Sequence, residues 1–334
     1  KVMKSGTLSG YYGSWGEEFY GGPAVKELEK NWSSKFKITH SVAVNSAASG
    51  LMTAIGAIGI SPGDEVIVPP MTQGSTIMAV ILYGGIPVFA DMDKTHCCLD
   101  YKDVESKITS KTKAIMVVDI FGQSADMDII MEIAKKHKLK VISDTAQAPG
   151  ALYGDKYAGT CADVGGFSLN YHKHIHTGEG GILVTNDDDI AERLQLIRNH
   201  AEVVVEDKGV KNLTNMVGHN FRLGEIECAM GIEQLKKLKG LVQSRQLLAE
   251  RLTEGLKSLD GLNTPTQFNN RSHVYYIYAM QLDLEVLQVS RQKIVEALAA
   301  EGVIVSSSYQ NIHYCILIFS FRRCNGVLNW IFFF

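Results

Sequence analysis

Seven short aliphatic runs, separated by segments of helical periodicity, set the strongest limit on how this chain can fold. They read SVAVNS (41–46), EVIVPP (65–70), PVFADMD (87–93), AIMVVDIFG (114–122), KVISDTA (140–146), VGGFSLN (164–170) and GGILVTN (180–186). Several carry apolar residues at consecutive positions rather than at every second one, as strands buried on both faces do. Helix signals lie between many of them. Pro23 opens a stripe of Val25, Leu28, Trp32 and Phe36. Asp126 stands where an N-cap would precede Met127, Ile130, Met131 and Ala134. This alternation predicts an α/β fold with a mostly parallel seven-stranded sheet flanked by helices. In such sheets ligands sit beyond the carboxyl ends of the strands.

After about Leu238 the pattern changes to a long helix (LVQSRQLLAERLTEGL), an extended segment (VYYIYAMQLDL) and a further helix (RQKIVEALAAEG). This predicts a large domain over 1–238 and a smaller α+β domain over 239–334, with a hinge at Lys237 to Gly240. From Tyr314 the chain reads YCILIFSFRRCNGVLNWIFFF, an atypical ending. Arg322, Arg323 and Asn325 split it into apolar runs far shorter than the roughly 20 residues of a membrane helix, so no membrane span is expected.

The 334 residues carry a formal charge of -3, which gives no global attraction to nucleic acid or to an anionic membrane. The six cysteines form no CxxC pair, and adjacent Cys97 and Cys98 suit neither a bridge nor a shared zinc. Reduced thiols in a cytoplasmic protein are the expectation. The chain begins with Lys1, and no secretory pattern follows.

The densest chemistry is in FSLNYHKHIHTGEGG (167–181), where Lys173 sits among His172, His174 and His176. In an extended strand the three imidazoles would share one face. Three histidines can hold zinc, but no carboxylate or cysteine follows at ligand spacing, and no metal is expected. A lysine amine can instead form a Schiff base with an aldehyde cofactor such as pyridoxal 5'-phosphate. That chemistry needs a carboxylate for the ring nitrogen, an anion site for the phosphate and a surface against the ring. Asp144 ends a predicted strand, where it either faces the cleft or caps a turn. VNSAASGL (44–51) joins a strand to a helix start, whose N–H groups favour an anion. Within it Asn45, Ser46 and Ser49 supply polar groups that serve either as further donors or as caps.

The combination and order of GDEVIVPP (63–70), SDTAQAPGA (143–151), FSLNYHKHIHTGEGG (167–181) and GHNFRLGEIECAMG (218–231) resemble the sugar aminotransferase family called DegT/DnrJ/EryC1/StrS, which has fold type I and depends on pyridoxal phosphate. The resemblance runs from about Gly22 to Ser307. It implies that Lys173 is the Schiff-base lysine and Asp144 the partner of the ring nitrogen. Gln147 would pack near the phenolic oxygen. Ser168 would bind the phosphate, with Ala47 and Ala48 adding backbone contacts. Asn220 would reach the phosphate from a neighbouring subunit, so the resemblance implies a homodimer with shared sites. Ala47–Ala48 replaces the family's glycine–threonine pair, which leaves Ser46 or Ser49 to compensate for a lost hydroxyl. Gln73 stands where the family often has an aromatic residue over the ring.

By the same resemblance the reaction is a two-half transamination. An amino donor, glutamate or glutamine, gives its nitrogen to a keto sugar, nucleotide-linked, for amino-sugar biosynthesis. His172, His174, His176 and Arg222 are candidate substrate contacts, and Arg198 and His200 candidate contacts to substrate phosphate. Two other readings stay open. One is a sugar dehydratase of the same family, in which histidine replaces the lysine. The other is a non-catalytic sugar-nucleotide or partner-binding protein that kept the fold.

Overall fold

The computed structural model describes residues 1–306 and 330–333. Its strands are β1 (His40–Val44), β2 (Glu65–Val68), β3 (Ile86–Phe89), β4 (Thr112–Val118), β5 (Lys140–Asp144), β6 (Leu152–Tyr153), β7 (Lys156–Tyr157), β8 (Val164–Ser168), β9 (Gly181–Thr185), β10 (Leu262–Asn263), β11 (Tyr278–Leu282), β12 (Val305–Ser306) and β13 (Trp330–Phe333). Its α-helices are α1 (Val2–Ser5), α2 (Pro23–Phe36), α3 (Ala47–Ala57), α4 (Gly74–Leu82), α5 (Tyr101–Ser106), α6 (Met127–His137), α7 (Asp188–Arg198), α8 (Val205–Lys208), α9 (Glu225–Leu256), α10 (Leu284–Leu287) and α11 (Arg291–Ala300).

Seven strands form one sheet in the order β1-β9-β8-β5-β4-β2-β3. All its pairings are parallel except those of β9, which runs antiparallel to β1 and β8. Each strand places alternate residues on opposite faces, and both faces are covered. Val66, Val68, Ala114, Met116 and Ile142 pack under α3, α4 and α7. Ile67, Ile115, Val117 and Val141 pack under α5 and α6. Helices on both sides leave no wet face, so consecutive apolar residues in the sequence are all buried.

Pro23 occupies the first turn of α2, as its fixed φ favours. Val25, Leu28, Trp32 and Phe36 are buried against α9 and the sheet, with Trp32 and Phe36 stacked at 4.8 Å between centroids. The N-terminus of α2 is capped from far away in sequence: the Glu225 carboxylate accepts from the N–H groups of Ala24 (2.9 Å) and Val25 (3.0 Å). Asp126 takes the N-cap position of α6, but its side chain does not cap the helix. It accepts instead from His96 Nε2 (3.1 Å) and from Arg271. The hydrogen bond from His96, followed by that from Arg271, holds its carboxyl down at about 2 against the effect of burial.

Lys237 to Gly240, where a hinge is expected, are helical. Those residues lie inside the 32-residue helix α9, about 48 Å long at the usual rise per residue. Its first half joins the core of the large sheet through Cys228, Ile232, Leu235, Leu238 and Val242. Further on, Ala249, Leu252 and Leu256 pack on Tyr275, Tyr278, Met280 and Leu282. One continuous helix therefore serves two cores. The second core lies on an antiparallel sheet ordered β10-β11-β13-β12. Of the atypical ending from Tyr314 to Phe334, only β13 lies within the described residues.

Candidate active site

The carboxyl ends of β1, β5 and β8 converge on a cavity of about 240 Å³ whose lining includes Ala47, Ala48, Gln73, Asp144, Gln147, Ser168 and Lys173. Each of these was singled out in the sequence, although they span 127 positions of chain.

Asp144 is the last residue of β5 and is buried. One carboxylate oxygen accepts from the Ala146 N–H (3.2 Å), the other from Thr76 Oγ1 (2.9 Å). Thr72 Oγ1 stands 2.7 Å from Thr76 Oγ1, which extends the chain of hydroxyls. Burial raises the proton affinity of Asp144, while these hydrogen bonds and the Lys173 charge oppose the rise. A second carboxylate fixes the strand end from below. Asp119 accepts from Ser143 Oγ (2.9 Å) and Thr145 Oγ1 (2.7 Å), the residues on either side of Asp144. Burial pushes Asp119 up to about 6.

Lys173 lies in the turn after β8. Burial depresses its amine to about 8, and Asp144 pulls in the opposite direction. An amine held there is partly neutral near pH 7, as a nucleophile or proton carrier requires. Its Nζ sits 4.3 Å from the centroid of the Tyr276 ring.

The phosphate side is built at the start of α3. Ser46 is the N-cap and accepts from Ser49 N–H (3.1 Å), while Ser49 Oγ accepts from Ser46 N–H (3.2 Å). Ala47 and Ala48 occupy the first turn, where N–H groups precede any intrahelical acceptor and the dipole favours an anion. Gly181 lies hard against this turn. A Cβ there would come within 2.8 Å of Ala47 N and the Ser46 carbonyl. Of Ser46 and Ser49, the two expected to compensate for the missing hydroxyl, Ser46 lines the cavity and Ser49 does not. Ser49 is buried, and its hydroxyl donates to Asn45 Oδ1 (2.6 Å). Ser168 is buried at the end of β8, and its Oγ accepts from Asn170 N–H (3.3 Å).

Gln147 is held by the Phe121 N–H, which donates to its Oε1 (2.8 Å). Gln73 caps α4, accepting from Ser75 N–H (2.7 Å), and reaches the cavity as an exposed amide.

The histidines do not form the one-faced comb expected of a strand, because residues 171–175 form turns and bends. His172 lines the cavity, and burial followed by the Lys173 charge keeps its proton affinity low. His174 is buried behind it and donates from Nε2 to the Val274 carbonyl (2.9 Å). Burial pushes its imidazole down to about 4. His176 is exposed and outside the lining. Among the described residues no three His, Cys, Asp or Glu side chains gather as a metal site.

Asn220 and Arg222 hydrogen-bond each other (2.7 Å) and lie outside the cavity of their own chain. Arg198 is not a phosphate contact. It is fully buried, donates to Glu29 Oε1 (2.6 Å) and the Ala43 carbonyl (3.2 Å), and stacks on Tyr11. His200 has a left-handed backbone and faces Glu202 at 3.9 Å.

Four residues of the site carried no signal in the sequence: Thr72, Thr76, Asn170 and Tyr276. Asn170 Nδ2 donates to both Glu179 oxygens (3.0 and 2.9 Å) at the cavity edge, and its buried Oδ1 has no hydrogen-bond partner. Glu179 was legible in the TGEGG run.

Residues 14–318 match the DegT/DnrJ/EryC1/StrS aminotransferase family. The chain belongs to this family. It is 36% identical over 283 residues to GDP-perosamine synthase of Caulobacter vibrioides, covering 84% of this chain and 75% of that protein. It is 33% identical over 286 residues to spore coat polysaccharide biosynthesis protein SpsC of Bacillus subtilis, covering 84% and 74%. Among solved structures it is similar to E. coli GDP-4-keto-6-deoxy-D-mannose-3-dehydratase with bound hydrated PLP. The TM-score is 0.85 at 26% identity, over 99% of this chain and 90% of that one. This DegT/DnrJ/EryC1/StrS aminotransferase is therefore a pyridoxal-phosphate-dependent transaminase.

The residues present fit that cofactor. A partly neutral amine and a buried carboxylate share one cavity with a helix N-terminus suited to phosphate. No helix among the described residues is long and apolar enough to cross a membrane.

Proposed function

We propose that this transaminase moves an amino group from an amino acid, glutamate or glutamine, to a nucleotide-linked keto sugar in amino-sugar biosynthesis. The observation that carries the catalytic part is that Lys173 and Asp144 line one cavity, close enough for the carboxylate to act on the amine. The substrate class is supported by relatives named for GDP-perosamine and for a spore coat polysaccharide.

Pyridoxal phosphate, when bound, supplies an electrophilic aldehyde and an electron sink. Lys173 would hold that aldehyde and, when free, would carry the proton at the reacting carbon. Asp144, whose carboxylate accepts from Thr76 and the Ala146 N–H against the effect of burial, would face the ring nitrogen. Ser168 and the N–H groups of Ala47 and Ala48 would bind the phosphate, Gln147 would lie near the phenolic oxygen, and Gln73 would cover part of the ring. His172, Asn170 and Glu179 at the cavity edge offer hydrogen bonds to sugar hydroxyls. The enzyme works as a homodimer in which Asn220 and Arg222 complete the neighbour's site. The match of GHNFRLGEIECAMG (218–231) to the family pattern supports this.

The similar dehydratase shows that the fold does not separate transamination from dehydration. Lys173 at the tethering position favours transamination.

The test is a visible spectrum of the protein with added cofactor. A band that borohydride bleaches, fixing the cofactor on the peptide that contains Lys173, is expected in the wild type and absent in Lys173→Ala. Folded protein without such a band would refute the catalytic reading. A panel of keto-sugar nucleotides with glutamate and glutamine then tests the substrate class, and failure of every acceptor would remove it.

A further inference from the structure

One aromatic side chain in the site comes from the far side of the molecule. Tyr276 precedes β11, and its ring face lies under Lys173 Nζ at 4.3 Å from the centroid. The backbone carrying it is fastened on several sides. Val274 N–H donates to the Gly122 carbonyl (2.8 Å), and Ile277 N–H to the Phe121 carbonyl (3.2 Å). Arg245 Nη1 donates to the Tyr275 carbonyl (2.9 Å). His174, the neighbour of Lys173, grips the Val274 carbonyl. The approach is close enough that Gly122, at φ +115°, has no room for a side chain. A Cβ would stand 2.9 Å from Tyr276 N. The same Phe121–Gly122 turn donates to Gln147. Tyr276 is thus locked to the turn that orients Gln147 and to the loop that carries the lysine.

We propose that Tyr276 is a positioning residue whose ring face holds the Lys173 ammonium over the cavity whenever that amine is unbonded. This rests on Lys173 being the tethering lysine. A cation over an aromatic face is favoured by the ring quadrupole, and more so when desolvated. The ring offsets part of the burial that would otherwise drive the amine neutral and let it wander. The other charged or titratable groups around the amine are Asp144 from β5, His172 and His174 from its own loop, Glu179 beside His172, and Arg245 from α9 beside His174 and Tyr276. Of these, His172 and His174 also lie beside the Tyr276 ring, each at 6.1 Å between centroids.

The experiment uses cofactor-free full-length protein. The pH dependence of Lys173 trinitrophenylation is followed by peptide mass spectrometry, which reads the amine's own titration. The wild-type midpoint is expected at about 8. Tyr276→Phe keeps the ring face and keeps that midpoint. Tyr276→Leu keeps apolar bulk without the ring, and the midpoint falls by about one unit, a tenfold rise in the ratio of neutral to charged amine at a given pH. If Tyr276→Leu fails to fold by circular dichroism, Tyr276→Met reads the same loss. An unchanged or raised midpoint in the folded ring-less variant overturns the proposal, as does an equal fall in Tyr276→Phe. Borohydride fixation of the cofactor on a different lysine would instead overturn the assignment of Lys173, so the two failures are distinguishable.

Discussion

Arg198→Met asks whether a buried arginine serves substrate or fold. Methionine keeps much of the apolar stem but removes the donors to Glu29, Ala43 and the Tyr20 carbonyl, and the cation over Tyr11. Glu29 is left as a largely buried carboxylate with the Ala43 N–H (2.8 Å) still donating to it. Removing one member of a buried ion pair costs ~3–5 kcal/mol, because the other charge stays desolvated and uncompensated. Against a total stability of roughly 5–15 kcal/mol this is a large fraction. Urea unfolding followed by circular dichroism should show a lower midpoint with an unchanged slope. Adding Glu29→Gln should recover about half of the loss, since a neutral amide needs no counter-charge. The pH dependence has a definite sign. Burial already raises Glu29, with Arg198 opposing, so removing the arginine raises it further. A carboxyl whose folded value is raised contributes stability below its unfolded pKa and loses it as pH rises through the folded one. The gap between variant and wild type should therefore narrow in acid and widen toward neutrality. KM for the acceptor should not change, because Arg198 lies outside the cavity. A many-fold rise in KM with an unchanged urea midpoint would refute the reasoning and restore the arginine as a phosphate contact.

Three further outcomes are expected. Thr76→Val removes one hydrogen bond from the Asp144 carboxylate, worth ~1 kcal/mol, and should lower kcat several-fold and weaken cofactor retention in dialysis. Asp119→Asn replaces a carboxyl raised by burial to about 6 from 3.8. The wild-type group loses stability as pH rises through that window, so between pH 4 and pH 7 the urea comparison should move toward the variant by up to ~3 kcal/mol. Gly181→Ala places a methyl group 2.8 Å from Ala47 N. It must push β9 away from the start of α3, and the cofactor dissociation constant, measured by fluorescence, should rise at least ~10-fold.

The strands and the family were readable in the sequence, and Lys173 and Asp144 stood out there as candidates that the fold brings to one cavity. Burial on both faces writes itself as consecutive apolar residues, and covalent amine chemistry needs residue types that stay recognisable in short motifs. Helix α2 was readable for the same reason, since Pro23 and a 3.6-residue stripe are local signals. Side-chain direction at the strand ends was not. His172, His174 and His176 separate because the turn after β8 has no period to align them. The hydroxyl on Asp144 comes from Thr76, 68 residues earlier, and the partner of Arg198 is 169 residues away. Tyr276 reaches Lys173 only because Gly122 lets two backbones touch. Local pattern reports what a residue buries against its neighbours in sequence, while the pairing of distant polar groups is settled only when packed elements bring them together and burial penalises any left unpaired.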